Sequence, residues 1–399
     1  MYVRHLALLE YRSWAAVDVP LSPGVNVIVG RNGVGKTNLV EALGYLATQS
    51  SHRVSGDQPL VRRGAGQAVV RGAVVHDGRE LLLELEINPG KANRARLNRA
   101  PATRTRDLLG ILRTVLFAPE DLAIVRGDPS ERRQFMDELL VMRTPRYAGV
   151  KADYDRALKQ RNSLLKSAGA RRRSGGPDLS VLEVWDEALA DFGSQLLAGR
   201  MAMVGALRPY MVAAYADVAP ESEPAGMVYR TSLGDLPEDT PVEELRVAYL
   251  DEIARRRGNE LDRGITLVGP HRDELELLLG PGPAKGYASH GESWSMALAL
   301  RLGAFGLLRA DGIAPVLVLD DVFAELDSSR RASLARWVAG ADQVVITAAV
   351  GADVPAALVG RQLLVENGSI TEVDTGSTPA GSDEQDGHEQ PTADPGTPA

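Results

Sequence analysis

One eight-residue loop constrains the fold of this chain more than any other feature of the sequence. Residues 30–37 read GRNGVGKT, which fits the phosphate-binding pattern Gly-x-x-x-x-Gly-Lys-Thr. The β-branched residues 25–29 precede this loop, and they indicate a buried strand. After the loop, apolar residues recur at helical spacing at Leu39, Val40, Leu43 and Leu46. The loop is therefore predicted to join a strand to a helix, which is the setting that the pattern requires.

The chemistry of this loop predicts ATP as the ligand, with Mg²⁺. Backbone N–H groups of a glycine-rich loop surround phosphate oxygens, and the helix N-terminus adds the positive end of its dipole. We expect Lys36 to reach the β and γ phosphates and Thr37 to bind Mg²⁺. The residues expected to bind the nucleotide are Gly30, Arg31, Asn32, Gly33, Val34, Gly35, Lys36, Thr37 and Asn38.

A second apolar run ends in two adjacent carboxylates. Residues 316–319 are predicted to form a buried strand, and Asp320 and Asp321 follow it. In a parallel sheet, ligands bind beyond the carboxyl ends of the strands. Asp320 is the candidate Mg²⁺ ligand, and Asp321 is the candidate that orients or deprotonates the attacking water. A polar turn or helix cap would be the simpler interpretation of an Asp-Asp pair alone, but the phosphate-binding loop favours the Mg²⁺ role. Asp321 and Lys36 are the candidate catalytic residues.

Composition restricts the remaining possibilities. The chain has no cysteine, which excludes disulfides and thiolate metal sites. No apolar run approaches the roughly 20 residues of a membrane helix, and the first residues lack the pattern of a secretory signal, so we expect a cytoplasmic protein.

Charge is distributed unevenly along the chain. The formal net charge is −8, and residues 372–399 carry seven carboxylates without Lys or Arg, which leaves the rest near −1. This acidic tail is predicted to be disordered, and competition with DNA for a basic surface is a less common role for such a tail. A DNA-binding surface would have to be a local patch. The candidates are the arginines of residues 94–106, 171–173 and 255–257, although such runs are usually solvated.

The order of elements predicts a split domain. Residues 69–87 alternate as strands of an antiparallel sheet, and residues 129–261 are helical apart from a linker at 167–178. Strands return at residues 265–268, 275–279, 316–319 and 344–347. We predict an α/β fold in which residues 1–128 and 262–371 form the nucleotide-binding lobe and residues 129–261 an inserted helical arm. One stripe on this arm needs a partner helix: Leu182, Trp185, Leu189, Phe192 and Leu196.

Two further segments indicate the class of nucleotide-binding protein. Residues 289–292 read SHGE before a helix, and residues 324–327 read AELD after the second carboxylate. Alone, Ser-x-Gly-Glu is an ordinary capped helix start. In this order along the chain, the motifs resemble the signature and the D-loop of ABC ATPases. The resemblance implies that Ser289, Gly291 and Glu292 face the γ-phosphate held by a second subunit, with Asp327 in the D-loop.

Within that superfamily the chain is similar to the RecF family from Leu6 to Ile370. The segments that carry the resemblance are EYRS at 10–13, NLVEA at 38–42, FAPED at 117–121, RRQFMD at 132–137, LKQRN at 158–162 and GPHRD at 269–273. The family implies an ABC-type ATPase head with an antiparallel β subdomain and a helical arm lobe. It also implies an ATP-dependent homodimer that clamps double-stranded or gapped DNA, hydrolyses ATP slowly in response to DNA, and assists RecO and RecR in loading RecA during repair, replication restart and the SOS response.

The chain departs from the family pattern at three places. Glu292 stands where the signature usually has Gln, no Q-loop glutamine precedes Pro119, and Asp321 is one methylene shorter than the glutamate of transporter-type ATPases. Slow hydrolysis is the expected consequence. The alternatives are a transporter-type ABC ATPase and an SMC-type chromosome tether, which would need much longer coiled coils. His271 is either a structural loop residue or a neighbour of the nucleotide.

Overall fold

The computed structural model of the protein describes residues 1–171, 180–358 and 360–373. Three sheets are present in this part of the chain. Their strands are β1 Tyr2–Tyr11, β2 Trp14–Pro20, β3 Gly24–Val29, β4 Ala68–His76, β5 Arg79–Ile87, β6 Arg94–Leu97, β7 Ala100–Pro101, β8 Thr114–Phe117, β9 Ala225–Arg230, β10 Glu274–Leu279, β11 Gly282–Pro283, β12 Val316–Asp320, β13 Gln343–Ala348, β14 Arg361–Glu366 and β15 Ser369–Val373.

The same residues contain eight α-helices. These are α1 Lys36–Thr48, α2 Leu122–Arg126, α3 Pro129–Arg143, α4 Tyr147–Arg171, α5 Ser180–Val218, α6 Val242–Arg263, α7 His290–Ala310 and α8 Ser328–Val338. The predicted tail lies outside the described residues from position 374 onward, as does most of the arginine run 171–173. No helix within the described ranges is both long and apolar enough to cross a membrane.

The phosphate-binding loop belongs to a six-stranded sheet with the order β15-β14-β3-β13-β12-β8. Its strands run parallel from β14 to β8, and β15 is antiparallel at one edge. Every residue of β12 and β13 is buried. Parallel strands covered on both faces are expected to be continuously apolar, which is why residues 316–319 and 344–347 were recognisable as strands. The predictions for these strands and for β3 are confirmed.

The second sheet is antiparallel, with the order β2-β1-β4-β5-β6-β7. The predicted antiparallel sheet is therefore confirmed, although residues 69–75 form one strand and not two short ones. Helix α1 packs between this sheet and the parallel sheet, and its Leu39, Leu43 and Leu46 join a core with residues of both. The helix that follows the phosphate-binding loop is thus fixed on two sides.

The helices of residues 129–263 pack closely onto the nucleotide-binding lobe. Strand β9 pairs with β10 in a third sheet, and α5 lies along α7. At Gly303 of α7, a Cβ atom would be 2.8 Å from the backbone of Met211 in α5, so this close approach requires glycine. Leu182, Leu189 and Leu196 of the predicted stripe are buried. The boundaries of the arm at 129 and 261 stay a prediction.

The strand predicted at residues 265–268 is wrong. Helix α6 ends at Arg263, and the residues after it form a turn. The N–H of Thr266 donates to Asn162 at 2.7 Å, the N–H of Leu267 donates to Glu260 at 2.8 Å, and Arg272 donates to the carbonyl of Thr266 at 2.9 Å. Side-chain hydrogen bonds therefore satisfy this backbone in place of a strand partner.

Candidate nucleotide-binding site

The loop between β3 and α1 has the backbone conformation of a phosphate cradle. Gly33 and Gly35 have φ angles of 84° and 109°, which residues with a Cβ rarely adopt. A Cβ at Gly35 would lie 2.8 Å from the hydroxyl of Ser13 and 2.9 Å from the indole nitrogen of Trp14. Trp14 also donates to the carbonyl of Gly35 at 3.1 Å. The turn between β1 and β2 therefore supports the loop from outside, and these features fit a bound nucleotide.

Lys36 is buried within this loop, with 3% of its surface exposed. Its ammonium donates to the carbonyl of Gly30 at 2.8 Å and to that of Arg31 at 3.4 Å. The same ammonium lies 3.9 Å from a carboxylate oxygen of Asp321. The loop lysine and the candidate catalytic carboxylate are therefore neighbours. The sequence predicted that both act on the nucleotide but did not predict this contact.

Asp320 lies at the end of β12, beside the start of α1. Its Oδ1 accepts hydrogen bonds from the hydroxyls of Thr37 at 3.3 Å and Thr347 at 2.5 Å. Burial raises the pKa of Asp320 to about 6; the negative charge of Asp321 acts in the same direction, while the hydrogen bonds from the two threonines oppose it. A cation beside this desolvated carboxylate would offset its charge.

The residues present fit Mg²⁺. The Thr37 hydroxyl and the Asp320 carboxylate are hard oxygen donors, which Mg²⁺ prefers. In the described ranges no group of three or more His, Asp or Glu side chains is placed to hold a metal. Such a partial set suits an ion that takes its other ligands from phosphates and water.

Asp321 adopts a left-handed backbone conformation, with a φ angle of 51°. Its N–H donates to the hydroxyl of Thr347 at 2.9 Å, which holds this turn in place. The side chain is 32% exposed, so the carboxylate faces the open edge of the sheet and can be reached by water. Asp tolerates this backbone region better than most residues.

A charged cluster under α1 was missed by sequence reasoning. Glu41 is fully buried, and it accepts hydrogen bonds from Arg12 at 2.8 Å and Ser51 at 2.6 Å. Arg53 donates to Asn38 at 3.0 Å, and Asn38 donates to Ser13 at 2.9 Å. The feature of the sequence that could have revealed this cluster is Glu41, the one carboxylate in the apolar segment that follows the loop. This cluster holds Asn38, a predicted nucleotide-binding residue, beside the β1–β2 turn.

The predicted signature forms the start of α7. Ser289 caps the helix: its N–H donates to Glu292 at 2.8 Å, and its hydroxyl accepts from the N–H of Glu292 at 3.3 Å. The hydrogen bonds from Ser289 lower the pKa of Glu292. This is the geometry of a capping box, and the predicted role of Ser289, Gly291 and Glu292 in a second subunit's site stays a prediction. Asp327 of the predicted D-loop lies nearby, joined to α7 through Arg330.

Helix α7 is also fixed to the segment that follows β8. Arg301 is buried and donates to Asp121 at 2.6 Å, and Asp121 accepts from the N–H of Ala118 at 3.0 Å. Trp294 packs edge-on against Phe117 with ring centroids 5.5 Å apart. The signature helix therefore contacts the PED segment directly, although no Q-loop glutamine is present there.

His271 lies in a hydrogen-bond network of the helical region. Its Nδ1 is 2.6 Å from the hydroxyl of Tyr154, and its Nε2 is 3.2 Å from the carbonyl of Thr266. Because a carbonyl only accepts, Nε2 carries the proton and Nδ1 accepts from Tyr154. Burial lowers the pKa of His271 to about 4. These contacts favour the structural interpretation of this residue.

The lowered pKa of His271 predicts a pH-dependent stability. Between pH 6.5 and 4 the unfolded chain binds a proton at this residue that the folded chain does not, so the free energy of unfolding should fall as pH falls through this window. The free energy of unfolding should be lower at pH 4 than at pH 7 by about 3 kcal/mol because of this residue. Denaturant unfolding of the parent and of His271→Asn, compared at pH 7 and pH 4, measures it. Equal pH dependence in both proteins would contradict this assignment.

Several arginines of the basic clusters are paired with carboxylates of the chain itself. Arg96 lies 3.1 Å from Glu84, and Arg94 lies 3.5 Å from Glu86. Arg255 and Arg256 both pair with Glu252. Contact of these clusters with DNA stays a prediction, and their pairing favours the solvated interpretation.

Comparison with known proteins agrees with this geometry. A family profile described as the RecF/RecN/SMC N terminal domain matches residues 2–356. Two proteins named DNA replication and repair protein RecF are similar to this chain. The protein of Nocardioides sp. is 55% identical, and the match covers 93% of this chain and 99% of that protein. The protein of Frankia alni is 59% identical, and the match covers 93% of this chain and 99% of that protein. A solved structure of the recombination mediator protein RecF with an ATP analogue in the RecFOR pathway superposes with a TM-score of 0.84 at 28% identity, covering 94% of this chain and 98% of that one. The predicted ABC-type ATPase head is therefore confirmed.

Proposed function

Because this chain belongs to the RecF family of DNA replication and repair proteins, we propose that it is a DNA-binding ATPase whose two subunits close on two ATP molecules and hold DNA between them. The observation that carries the proposal is the convergence of four predicted residues at one sheet edge. Thr37 contacts Asp320 at 3.3 Å, and Lys36 lies 3.9 Å from Asp321. These are the groups needed to bind a nucleotide phosphate, a metal ion and an attacking water.

Each residue has a distinct task in this proposal. The ammonium of Lys36 moves little when it bonds the β and γ phosphates, because its stem is already buried beside the loop. Thr37 and Asp320 hold Mg²⁺, which neutralises phosphate charge. Asp321 orients the attacking water from the open edge of the sheet. Its short side chain and its fixed turn limit how closely it can approach that water, so hydrolysis is slow.

The remaining parts of the proposal extend what the resemblance to the RecF family implies. A solved RecF structure is described as part of the RecFOR pathway, which supports RecR, together with RecO, as partners of this chain at gapped DNA. The proposed dimer places Ser289, Gly291 and Glu292 of one subunit against the ATP of the other. DNA stimulates turnover in this scheme, and hydrolysis opens the dimer and releases the DNA. A cytoplasmic location follows from this role.

Asp321→Asn is expected to bind ATP normally and to slow hydrolysis by about a hundredfold or more, since it removes a base and keeps the Asp320 metal ligand. The variant should therefore accumulate as an ATP dimer that retains gapped duplex DNA, whereas the parent returns to monomers as ATP is consumed. Sedimentation velocity with ATP, ADP or no nucleotide measures both effects.

The matched control is Asp235→Asn, because the side chain of Asp235 is fully exposed on the surface. This control should behave as the parent. Hydrolysis at the parental rate by Asp321→Asn would remove Asp321 from the catalytic role. Failure of both the parent and Asp321→Asn to dimerise with ATP would contradict the proposed clamp.

A further inference from the structure

Arg330 contacts both segments that the proposed dimer would present to the partner's nucleotide. It lies in the first turn of α8, directly after the D-loop, and its Nη1 donates to Asp327 at 2.7 Å. Its Nε donates to the hydroxyl of Ser295 in α7 at 2.9 Å. A Cβ atom at Gly291 would be 3.3 Å from its Nη2. One guanidinium thus connects the D-loop to the first turns of the signature helix.

The guanidinium of Arg330 lies close to Gly291 at the start of the signature helix. The nearest atoms to a Cβ there all belong to Arg330, at 3.3–3.7 Å. A methyl group on this residue would therefore be in contact with the guanidinium, which would have to shift by a few tenths of an ångström. The charge of Arg330 also faces Glu292, whose pKa is lowered first by the hydrogen bonds from Ser289 and further by this cation.

Two more hydrogen bonds fix the D-loop side of this contact. Asp327 caps α8 by accepting from the N–H of Arg330 at 2.9 Å, and Arg331 donates to the carbonyl of Leu326 at 2.8 Å. The carboxylate of Asp327 therefore uses one oxygen for the helix cap and the other for the guanidinium. Its orientation depends on Arg330 through both the backbone and the side chain.

We propose that Arg330 is a positioning residue that holds the D-loop and the signature in one arrangement, so that both reach the partner subunit's nucleotide together. The inference rests on the proposed ATP-dependent dimer and deepens it. A planar guanidinium can donate to Asp327 and Ser295 at once in a fixed fork, whereas a lysine ammonium cannot span the two partners in the same way. Without Arg330, the two segments would have to be ordered during dimerisation, and the cost would weaken the dimer.

Arg330→Met tests this role. Because the substitution leaves the phosphate-binding loop unchanged, the affinity of the monomer for ATP should be unchanged. The affinity of the ATP-dependent dimer should fall roughly tenfold to a hundredfold. Arg330→Lys should restore at most part of this loss. Calorimetry measures ATP binding. Sedimentation equilibrium with ATP measures dimerisation, with each variant also carrying Asp321→Asn so that ATP is hydrolysed slowly.

The matched control is Arg336→Met, which removes an exposed arginine of the same helix that bonds only to the neighbouring Ser333 among its described partners. It should dimerise as the parent does. Ser295→Ala provides a second test: it should weaken the dimer in the parent and have no further effect in Arg330→Met.

The outcomes separate this inference from the proposed function. If the parent dimerises with ATP and Arg330→Met does so with equal affinity, the positioning role is wrong and the clamp is unaffected. Additive effects of Ser295→Ala and Arg330→Met would also contradict it. If the parent stays monomeric with ATP, the clamp fails and the inference fails with it.

Discussion

Lys36→Met is expected to weaken ATP binding by about a hundredfold or more. Methionine keeps the length and the apolar stem of the buried side chain but removes the cation that faces the phosphates. The substitution leaves the buried carbonyl of Gly30 without its hydrogen bond from Lys36, at a cost of about 1–3 kcal/mol in stability, so the free energy of unfolding should be measured beside the affinity. Isothermal titration calorimetry with Mg²⁺-ATP measures the affinity.

Lys285→Met is the matched control for this experiment. Lys285 also donates from its ammonium to a backbone carbonyl, that of Gly127 at 2.7 Å, but its side chain is half-exposed and lies outside the loop. The control should bind ATP as the parent does. If Lys36→Met keeps the parental affinity, the assignment of residues 30–37 as the phosphate-binding loop is wrong.

Ser289→Arg is expected to abolish ATP-dependent dimerisation while sparing ATP binding by each monomer. A long side chain at the helix cap would fill the space through which the partner's γ-phosphate approaches the first N–H groups of α7. The positive charge could attract phosphate, so the steric block must dominate. Light scattering with and without ATP measures the dimer, and retention of DNA should be lost with it.

Two comparisons separate this block from a loss of helix capping. Ser289→Ala removes the hydroxyl that accepts from the N–H of Glu292, at a cost of about 1 kcal/mol in stability, without adding bulk. It should therefore dimerise better than Ser289→Arg. Ser369→Arg places the same cation at an exposed position of β15 and should have no effect. Dimerisation of Ser289→Arg at the parental level would return residues 289–292 to the role of an ordinary capped helix.

The parts of the site that could be predicted from sequence are those whose chemistry is local. The phosphate-binding loop and the Asp320-Asp321 pair each lie at the end of an apolar run, and parallel strands bring such ends to one edge. Thr347 could not be assigned a role, although its strand was predicted. Its contact with Asp320 depends on the register of β12 against β13, which pairs these two residues across the sheet.

The same limit explains the errors and omissions elsewhere. Residues 265–268 have the composition of a strand, but their backbone hydrogen bonds go to the side chains of Asn162, Glu260 and Arg272, and only the packing of the helices reveals this. Arg330 and Ser295 are separated by 35 residues, so their contact has no signal in the sequence. Long-range contacts between side chains were therefore the part that composition and spacing could not supply.

The close packing of α5 on α7 connects the helical region to the signature at the start of α7. Helix α5 has 39 residues, which corresponds to a length of about 58 Å. Because Gly303 lets the backbones of the two helices meet at Met211, a rotation of α7 would have to be accommodated by α5 at this contact. If α5 turned by about 10° about this contact, its start at Ser180, about 46 Å from Met211 along the helix, would move by about 8 Å. A rotation of α7 during closure of the proposed dimer would thereby produce a larger displacement at the start of α5, which is remote from the nucleotide.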